Sequence, residues 1–294
     1  IALTHIGYLE DLKLAEAVPE FDVIVGGHSH TELEEAVEVG GVLLVQSHEW
    51  ARNLGFLRIE VEDGQIKDYE QRLIPITDAI EPNAKVMAIY NGWEVLLEEK
   101  LNQVVGSTAV FFDGERANVR TQETNLGNLI ADIMREATGA DVAITNGGGI
   151  RASLAQGEVT VGDIYTVLPF DNTLTVIQVS GRDLLAALEH SARLYPEQNG
   201  GFLQVSGMLF AVNPRMSGKR IFNVRINDEH IMMDKLYTVA TNDFLAAGGD
   251  GYEVLQNGTI VAETGLMLRD VVVDYFLKHG TVEEPEGGRI IFLK

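Results

Sequence analysis

Three apolar segments of this chain each end at a polar loop that is rich in glycine. They are Asp22–Val25 before Gly26-Gly27, Asp141–Thr145 before Asn146-Gly147-Gly148-Gly149, and Leu236–Ala240 before Asn242 and Gly248-Gly249. Short apolar runs that stop at glycine are typical of buried strands. Helical patterns alternate with them, over Glu10–Ala17, Asn125–Ala137 and Asp183–Leu194. The alternation predicts an α/β fold.

The length of 294 residues suggests two domains. One α/β block occupies residues 1–81 and another occupies residues 104–294. Pro82 opens a helical run over Asn83–Leu101, whose apolar residues recur at spacings of three and four. Residues 82–103 are therefore predicted to form a helix that connects the two domains. Because the chain opens inside a predicted strand, Ile1–Thr4, we expect part of the first domain to lie outside this sequence.

The composition excludes several classes of partner and ligand. The chain has 44 acidic and 22 basic residues, a formal net charge of −22, and no cysteine. Such a charge argues against a nucleic acid polymer or an anionic membrane as partner, but a small phosphorylated ligand stays compatible with it. No run approaches the roughly 20 apolar residues of a membrane span. Without thiolates, a metal would have to be bound by His, Asp, Glu, Asn or Gln.

Three histidines lie near predicted strand ends in the first block. His5 follows the first strand, and His28 and His30 follow Gly26-Gly27. Two parallel strands of a β-α-β unit end side by side, so His5 and His28 can meet. Residues two apart in an extended loop point the same way, so His30 could reach the same metal cluster. The alternative is an ordinary glycine-rich turn with solvated histidines. No carboxylate lies at a comparable strand end, so this metal site is predicted to be incomplete.

The second block contains a possible anion site and a possible ring-binding site. The glycines of Asn146–Arg151 could offer backbone N–H groups, with Arg151 and Arg120 nearby, or could simply form a tight turn. Phe170 and Phe244 both lie in polar loops, where they could stack on a flat ring or anchor the loops in the core. Asp250 could accept hydrogen bonds from sugar hydroxyls or hold a turn.

Five motifs in this order give the chain its family resemblance. They are Thr124–Leu129, Asn146–Arg151, Val167–Phe170, Gln204–Gly207 and Ala240–Gly251. The chain resembles the 5′-nucleotidase family over nearly its whole length, and that family includes UDP-sugar hydrolases and 2′,3′-cyclic nucleotide phosphodiesterases. The resemblance implies a layered α/β protein of two domains. Residues 1–81 would be the C-terminal part of a metallophosphoesterase domain, and residues 104–294 a complete substrate-binding domain.

The resemblance also implies roles for individual residues. His5 and His28 match ligands of one divalent metal of a pair, such as Zn or Mn, and His30 matches a ligand of the other. The substrate-binding residues it implies are Arg120, Asn146 and Arg151 for the phosphate or ribose side, Phe170 and Phe244 around the nucleobase, Asp250 at the ribose hydroxyls and Asn172 at the base. The implied partner is a small nucleotide or nucleoside. The implied location is the periplasm, the cell surface or the medium.

One departure from the family pattern limits what this chain can do by itself. The Asp-x-His, Gly-Asp and Gly-Asn-His motifs that open the family's catalytic domain do not occur in residues 1–81. We therefore expect the parent protein to hydrolyse nucleotides to nucleosides and phosphate, and this chain to lack the catalytic residues and to be inactive alone. The alternatives are a 2′,3′-cyclic nucleotide phosphodiesterase, a UDP-sugar hydrolase, or a non-catalytic nucleoside-binding fragment.

Overall fold

The computed structural model describes residues 1–216 and 218–293. The chain divides into two compact units, Ile1–Asn91 and Gly92–Lys294. Each unit is built around its own sheets and its own buried apolar core. No helix within the described ranges is long and apolar enough to cross a membrane.

The first unit is a small mixed sheet of four strands followed by a hairpin. Its elements are β1 (Ala2–Leu3), α1 (Tyr8–Ala17), β2 (Val23–Val25), β3 (Val37–Val39), β4 (Val42–Val45), β5 (Asn53–Glu62) and β6 (Gln65–Pro75). Strands β1, β2 and β4 are parallel neighbours, and β3 pairs antiparallel with β4. Helix α1 makes the crossover that parallel strands require. Ala15, Ile24, Val42 and Leu44 form the core.

A hairpin of β5 and β6 follows this sheet, and after it comes the helix that the sequence predicted. Asp63 and Gly64 form the two-residue turn, with φ angles of 52° and 78°, as in a type I′ turn, which suits the twist of a hairpin. Helix α2 (Ala84–Leu101) follows. The side chain of Asn83 accepts hydrogen bonds from the backbone N–H groups of Lys85 and Val86, at 3.0 and 3.3 Å. Asn83 therefore caps the helix by satisfying N–H groups that have no partner within it.

The second unit contains three further sheets. Its strands and helices are β7 (Val104–Thr108), α3 (Arg116–Val119), α4 (Asn125–Thr138), β8 (Val142–Asn146), β9 (Gly157–Thr160), α5 (Val161–Val167), β10 (Thr173–Ser180), α6 (Gly181–Ser191), β11 (Leu203–Ser206), β12 (Met208–Val212), β13 (Ile221–Ile226), β14 (Glu229–His230), β15 (Leu236–Asn242), α7 (Asp243–Ala246), β16 (Thr259–Met267), α8 (Leu268–His279), β17 (Thr281–Val282) and β18 (Ile290–Phe292). The sheets have the strand orders β11-β8-β15-β10-β16, β14-β13-β12-β18 and β17-β7-β9.

The five-stranded sheet is covered on both faces. Along β8, Val142 and Ile144 belong to one buried cluster, and Ala143 between them belongs to another. This alternation is what a strand with period two gives when both of its faces are buried. Helices α4, α5 and α8 supply apolar side chains to the cluster that contains Ala143, and α6 supplies them to the other. The predicted α/β fold class is confirmed.

Local signals in the sequence determine where α4 begins and ends. The hydroxyl of Thr124 accepts a hydrogen bond from the backbone N–H of Gly127 at 3.1 Å, so Thr124 is the N-cap of this helix. Gly139 ends the helix in the left-handed conformation, with φ 66°, which glycine adopts without strain. Leu126, Ile130 and other apolar residues of one face are buried. The helix lies against β8 and so fixes the direction of the strand that leads to Asn146.

Candidate functional site

The first unit brings His5 and His28 together. Strands β1 and β2 pair in parallel, with Leu3 opposite Val25, and both histidines follow the carboxyl ends of these strands. Their ring centroids are 5.1 Å apart, with the rings at 71°. At this distance two imidazoles can contribute two of the nitrogen ligands of one transition metal.

His30 lies in a different environment from the one that its spacing predicted. Its Nδ1 atom pairs with the carboxylate of Glu49, and its ring centroid is 6.4 Å from that of Trp50. The φ angles of His28 and His30 are 75° and 57°. Because left-handed residues are not extended, the assumption of an extended loop does not hold here. That the two rings reach the same metal cluster stays a prediction. Left-handed residues other than glycine cost energy and are concentrated at functional sites.

Two residues that sequence reasoning missed surround this turn. The Ser29 hydroxyl accepts a hydrogen bond from the backbone N–H of Tyr8 at 3.0 Å and donates to Gln46 Oε1 at 3.1 Å. Asp11, only 2% exposed, places its carboxylate so close to Gly26 that a Cβ there would lie 2.5 Å from Oδ2. Ser29 therefore holds the turn to α1 and to the end of β4. Asp11 could have been suspected as a charged residue on the inner side of an amphipathic helix.

These residues fit part of a metal site. Within residues 1–216 and 218–293, no group of three or more His, Cys, Asp or Glu side chains is arranged to hold a metal ion. His5 and His28 can supply two ligands, whereas a catalytic zinc centre uses about three protein ligands and leaves one position open. The described residues therefore offer a partial ligand set.

The second unit joins the predicted site residues Asn146 and Asp250 with Asn242 in one chain of hydrogen bonds. Strands β8 and β15 are parallel neighbours, and they end at Asn146 and Asn242. The Asn242 amide donates to Asn146 Oδ1 at 3.1 Å, and the Asn146 amide donates to Asp250 Oδ2 at 2.9 Å. Both asparagines are at least nine-tenths buried. The amides therefore hold the Asp250 carboxylate at the carboxyl ends of the strands, where ligands of α/β proteins commonly bind.

Asp250 is also held through its backbone. Its φ angle is 54°, so the residue is left-handed, and its carbonyl oxygen lies 2.8 Å from His190 Nε2 on α6. Burial lowers the pKa of His190. The ring of His190 packs edge-on against Tyr252, with centroids 4.6 Å apart. His190 therefore supports the backbone of Asp250.

The glycine triplet forms a tight turn rather than an open anion site. Gly147 and Gly148 donate their N–H groups to the carbonyl oxygens of Phe202 and Gly200, at 2.7 and 2.6 Å. Two of the three N–H groups predicted for an anion are therefore used within the fold. Arg151 follows the turn and donates to the Gly148 carbonyl at 3.4 Å. Its guanidinium carbon lies 5.8 Å from the centre of the Phe170 ring.

Arg120 approaches the same turn from α3. It follows that helix, and its carbonyl oxygen accepts the backbone N–H of Asn199 at 3.1 Å. Its Nη1 atom lies 4.0 Å from the position that a Cβ of Gly200 would occupy. The carbonyl oxygen of Gly200 in turn accepts the hydrogen bond from the N–H of Gly148 in the turn. The structure thus places Arg120 and Arg151 at segments that border one turn.

Phe170 and Phe244 are both substantially exposed, at 48% and 44%. An aromatic residue that anchored its loop in the core would be buried, so the exposure favours stacking over anchoring. The Phe244 ring lies against the backbone of Gly249, where a Cβ would meet ring carbons at 2.5 Å. Phe170 lines a small cleft with Asn172, Gly149 and the ends of β8 and β15. The site can offer aromatic surface to a flat ring and a carboxylate to hydroxyl groups.

The family described as "5′-nucleotidase, C-terminal domain" matches residues 104–257, a segment that contains every residue of this second site. The chain belongs to the 5′-nucleotidase family. The resemblance noted from the sequence motifs is thereby confirmed, and so is the expected relation to phosphoester hydrolases.

Two relatives illustrate how much of such proteins the chain represents. It is 38% identical over 310 residues to the trifunctional nucleotide phosphoesterase protein YfkN of Bacillus subtilis (strain 168), covering 99% of this chain and 21% of that protein. It is 30% identical over 334 residues to the 5′-nucleotidase of Diplobatis ommata, covering 100% of this chain and 58% of that protein. The chain thus spans from about a fifth to three fifths of these relatives.

The fold is also similar to that of a solved relative. The crystal structure of a 5′-nucleotidase precursor from Thermus thermophilus superposes with a TM-score of 0.75 at 35% identity. The superposition covers 100% of this chain and 64% of the Thermus chain. The mixed α/β architecture is therefore that of the family.

Proposed function

We propose that the protein hydrolyses nucleotide phosphoesters to nucleosides and phosphate with the help of divalent metal ions. Membership of the 5′-nucleotidase family supports the reaction class. The observation that carries the proposal for this chain is the hydrogen-bonded series from Asn242 through Asn146 to Asp250, next to two exposed phenylalanines. The carboxylate can bind the two hydroxyls of a ribose, and the aromatic side chains beside it can stack on a base, so the site suits both parts of a nucleoside.

We assign the following roles within this proposal. Phe170 and Phe244 stack on the nucleobase, and Asp250 accepts hydrogen bonds from the ribose hydroxyls. Arg120, Asn146 and Arg151 bind the phosphate or ribose side, where two guanidinium groups offset the strongly acidic charge of the chain. Asn172 lies at the base side. Residues 104–294 are the substrate-binding domain, residues 82–103 the connecting helix, and residues 1–81 the C-terminal part of the metallophosphoesterase domain.

His5 and His28 would bind one metal ion, and His30 would contribute to a second. Divalent ions bound there neutralise phosphoryl oxygens and lower the pKa of a bound water. This chain's own contribution is to hold the imidazoles at the ends of parallel strands, through the turn that Ser29 fixes. We further propose that the protein acts in the periplasm, at the cell surface or outside the cell, which the precursor form of the Thermus relative supports.

The reaction is tested by phosphate release from 5′-AMP with Mn²⁺ or Zn²⁺. The protein as the cell makes it is expected to release phosphate. The 294-residue chain is expected to bind adenosine without turnover, since its described residues offer only a partial ligand set. Native protein that hydrolyses no nucleotide would refute the proposed function. If the chain hydrolyses 5′-AMP and this activity survives repurification, the claim that it carries only a partial metal site is refuted.

The stacking assignment is tested by replacing Phe170 and Phe244 with alanine. Stacking predicts that the affinity for adenosine falls by about 5- to 150-fold for each variant, since stacking on an aromatic side chain contributes about 1–3 kcal/mol per base. Thermal stability should change little, because both rings are exposed. If the two phenylalanines instead anchored their segments in the core, each alanine variant would lower the free energy of unfolding of the protein by about 3–5 kcal/mol. Calorimetric titration and thermal unfolding separate these outcomes.

A further inference from the structure

The carboxylate of Asp243 joins the loop that carries Phe170 to the short helix α7, where the structure places Phe244 rather than in the loop that the sequence predicted. One of its oxygens, Oδ1, accepts three hydrogen bonds, from Asn172 Nδ2 at 2.9 Å, from the backbone N–H of Thr173 at 3.1 Å and from the backbone N–H of Phe244 at 2.9 Å. Two of these donors belong to the segment that follows Phe170, and the third belongs to Phe244 itself. A single side chain therefore accepts hydrogen bonds from both of the segments that carry the aromatic rings.

The loop with Phe170 is also held from its other side. Arg269 on α8 donates to the carboxylate of Asp171 at 2.6 Å and to the carbonyl of Pro169 at 3.4 Å. Its side chain is 16% exposed. Phe170 thus lies between two attachments, one to α8 through Arg269 and one to the start of α7 through Asp243. Of these two attachments, the second connects it to the helix that carries Phe244.

The strand register places the hydrogen bonds of Asp243, here called the Asp243 bridge, close to both aromatic residues. Strands β10 and β15 pair antiparallel, with Leu174 opposite Asn242. The Asp243 bridge therefore lies immediately beyond the last paired residues of these two strands. A carboxylate only accepts hydrogen bonds, so the Asn172 amide must turn its nitrogen toward Asp243. The bridge thus fixes both the loop backbone and the Asn172 side chain, which lines the small cleft beside Phe170.

We propose that Asp243 is a positioning residue for base recognition, because its three hydrogen bonds set the separation of the Phe170 and Phe244 rings. The inference rests on the proposed function, since it requires that these rings hold a base. Asp243 itself does not touch the ligand. Removal of its side chain should weaken the binding of ligands that carry a base and leave the binding of base-free sugar phosphates unchanged. A residue needed only for folding would affect both ligands or neither.

The experiment compares 5′-AMP with ribose 5-phosphate by calorimetric titration of the 294-residue chain. D243A is expected to bind 5′-AMP about tenfold or more weakly, because a displaced ring loses much of its stacking contribution. Its affinity for ribose 5-phosphate should stay at the wild-type value. D243N should lie within about threefold of wild type for 5′-AMP, since a neutral amide oxygen still accepts hydrogen bonds, more weakly than a carboxylate.

Asp163 offers a matched control. It is another exposed aspartate in the first turn of a helix, and its Oδ2 atom accepts hydrogen bonds from the backbone N–H and hydroxyl of Thr160, at 2.8 and 2.7 Å. D163A should therefore cost similar local stability and leave both affinities unchanged. N172A removes the hydrogen bond that Asn172 donates to Asp243. Because Asn172 is also assigned to the base side, its loss of affinity supports positioning only where it does not add to that of D243A, whereas wild-type affinity overturns the inference even if D243A does not fold. N172A should reduce the affinity for 5′-AMP in the same direction, and its effect should not add to that of D243A.

Three results would overturn the inference. The first is a D243A or N172A variant that binds 5′-AMP like wild type while F170A binds it weakly, which removes the positioning role and leaves the proposed function intact. The second is a D243A variant that loses both ligands equally, as a structural residue would. The third is an F170A variant with unchanged 5′-AMP binding, which refutes the stacking assignment and this inference together.

Discussion

Replacing Gly249 with alanine tests whether the position of the Phe244 ring determines nucleoside affinity. A Cβ at residue 249 would lie 2.5–2.6 Å from three carbons of that ring. Ordinary carbon–carbon contacts are about 3.5–4.0 Å, so the ring must move by about 1 Å or swing away. Gly249 is not left-handed, so alanine fits its backbone. The Phe244 ring is 44% exposed and can move into solvent.

The change should therefore reduce binding with little loss of stability. We expect the affinity for adenosine to fall by about 5- to 150-fold, the range that corresponds to a stacking contribution of about 1–3 kcal/mol. The free energy of unfolding should change by less than about 1 kcal/mol, as for most surface substitutions. Calorimetric titration and urea unfolding measure the two quantities.

Gly287 provides the control for this variant. An alanine there would meet only Glu123 Oε1, at an ordinary distance of 3.6 Å, and Gly287 is also not left-handed. G287A should bind adenosine like wild type. The reasoning is refuted if G249A keeps wild-type affinity, or if its affinity is lost only in proportion to unfolded protein.

Three further predictions concern the residues around Asp250. D250N should reduce the preference for adenosine over 2′,3′-dideoxyadenosine by about 10- to 150-fold, measured by titration, because hydrogen bonds to a charged group contribute about 1.5–3 kcal/mol. Burial lowers the pKa of His190 below its ordinary value of 6.5, so the unfolded state binds the proton more readily. Stability should fall as the pH drops below about 6.5, and H190Q should lack this part of the pH dependence in urea unfolding. The buried Tyr252 hydroxyl donates to the Gly201 carbonyl, and Y252F should cost about 1–3 kcal/mol in the same assay, with a cost below about 0.5 kcal/mol contradicting the expectation.

Elements governed by local signals could be predicted from the sequence. Helix α4 begins after Thr124 and ends at Gly139, as the cap residues indicated. The β5–β6 hairpin follows from Asp63-Gly64. The short α7 was not predicted, since four residues are too few for a pattern and depend on the Asn242 cap.

The candidate site could be predicted only where a motif carried the chemistry. Asn146 and Asp250 were identified within glycine-rich loops, and the parallel strands that unite such loops follow from the fold. His190 and Asp243 were missed, because their partners are 60 and 71 residues away in sequence. No local pattern reports such contacts. The environment of His30, beside Glu49 and Trp50, accompanies left-handed backbone angles that its sequence spacing does not reveal.

The most direct test of the central claim is a crystal structure of this chain grown with adenosine. The account predicts the base between the rings of Phe170 and Phe244, and the ribose hydroxyls within about 3.2 Å of the Asp250 carboxylate. It also predicts that Asn146 keeps its hydrogen bond to that carboxylate. Adenosine bound elsewhere on the second unit, with both rings still exposed to solvent, would contradict the account.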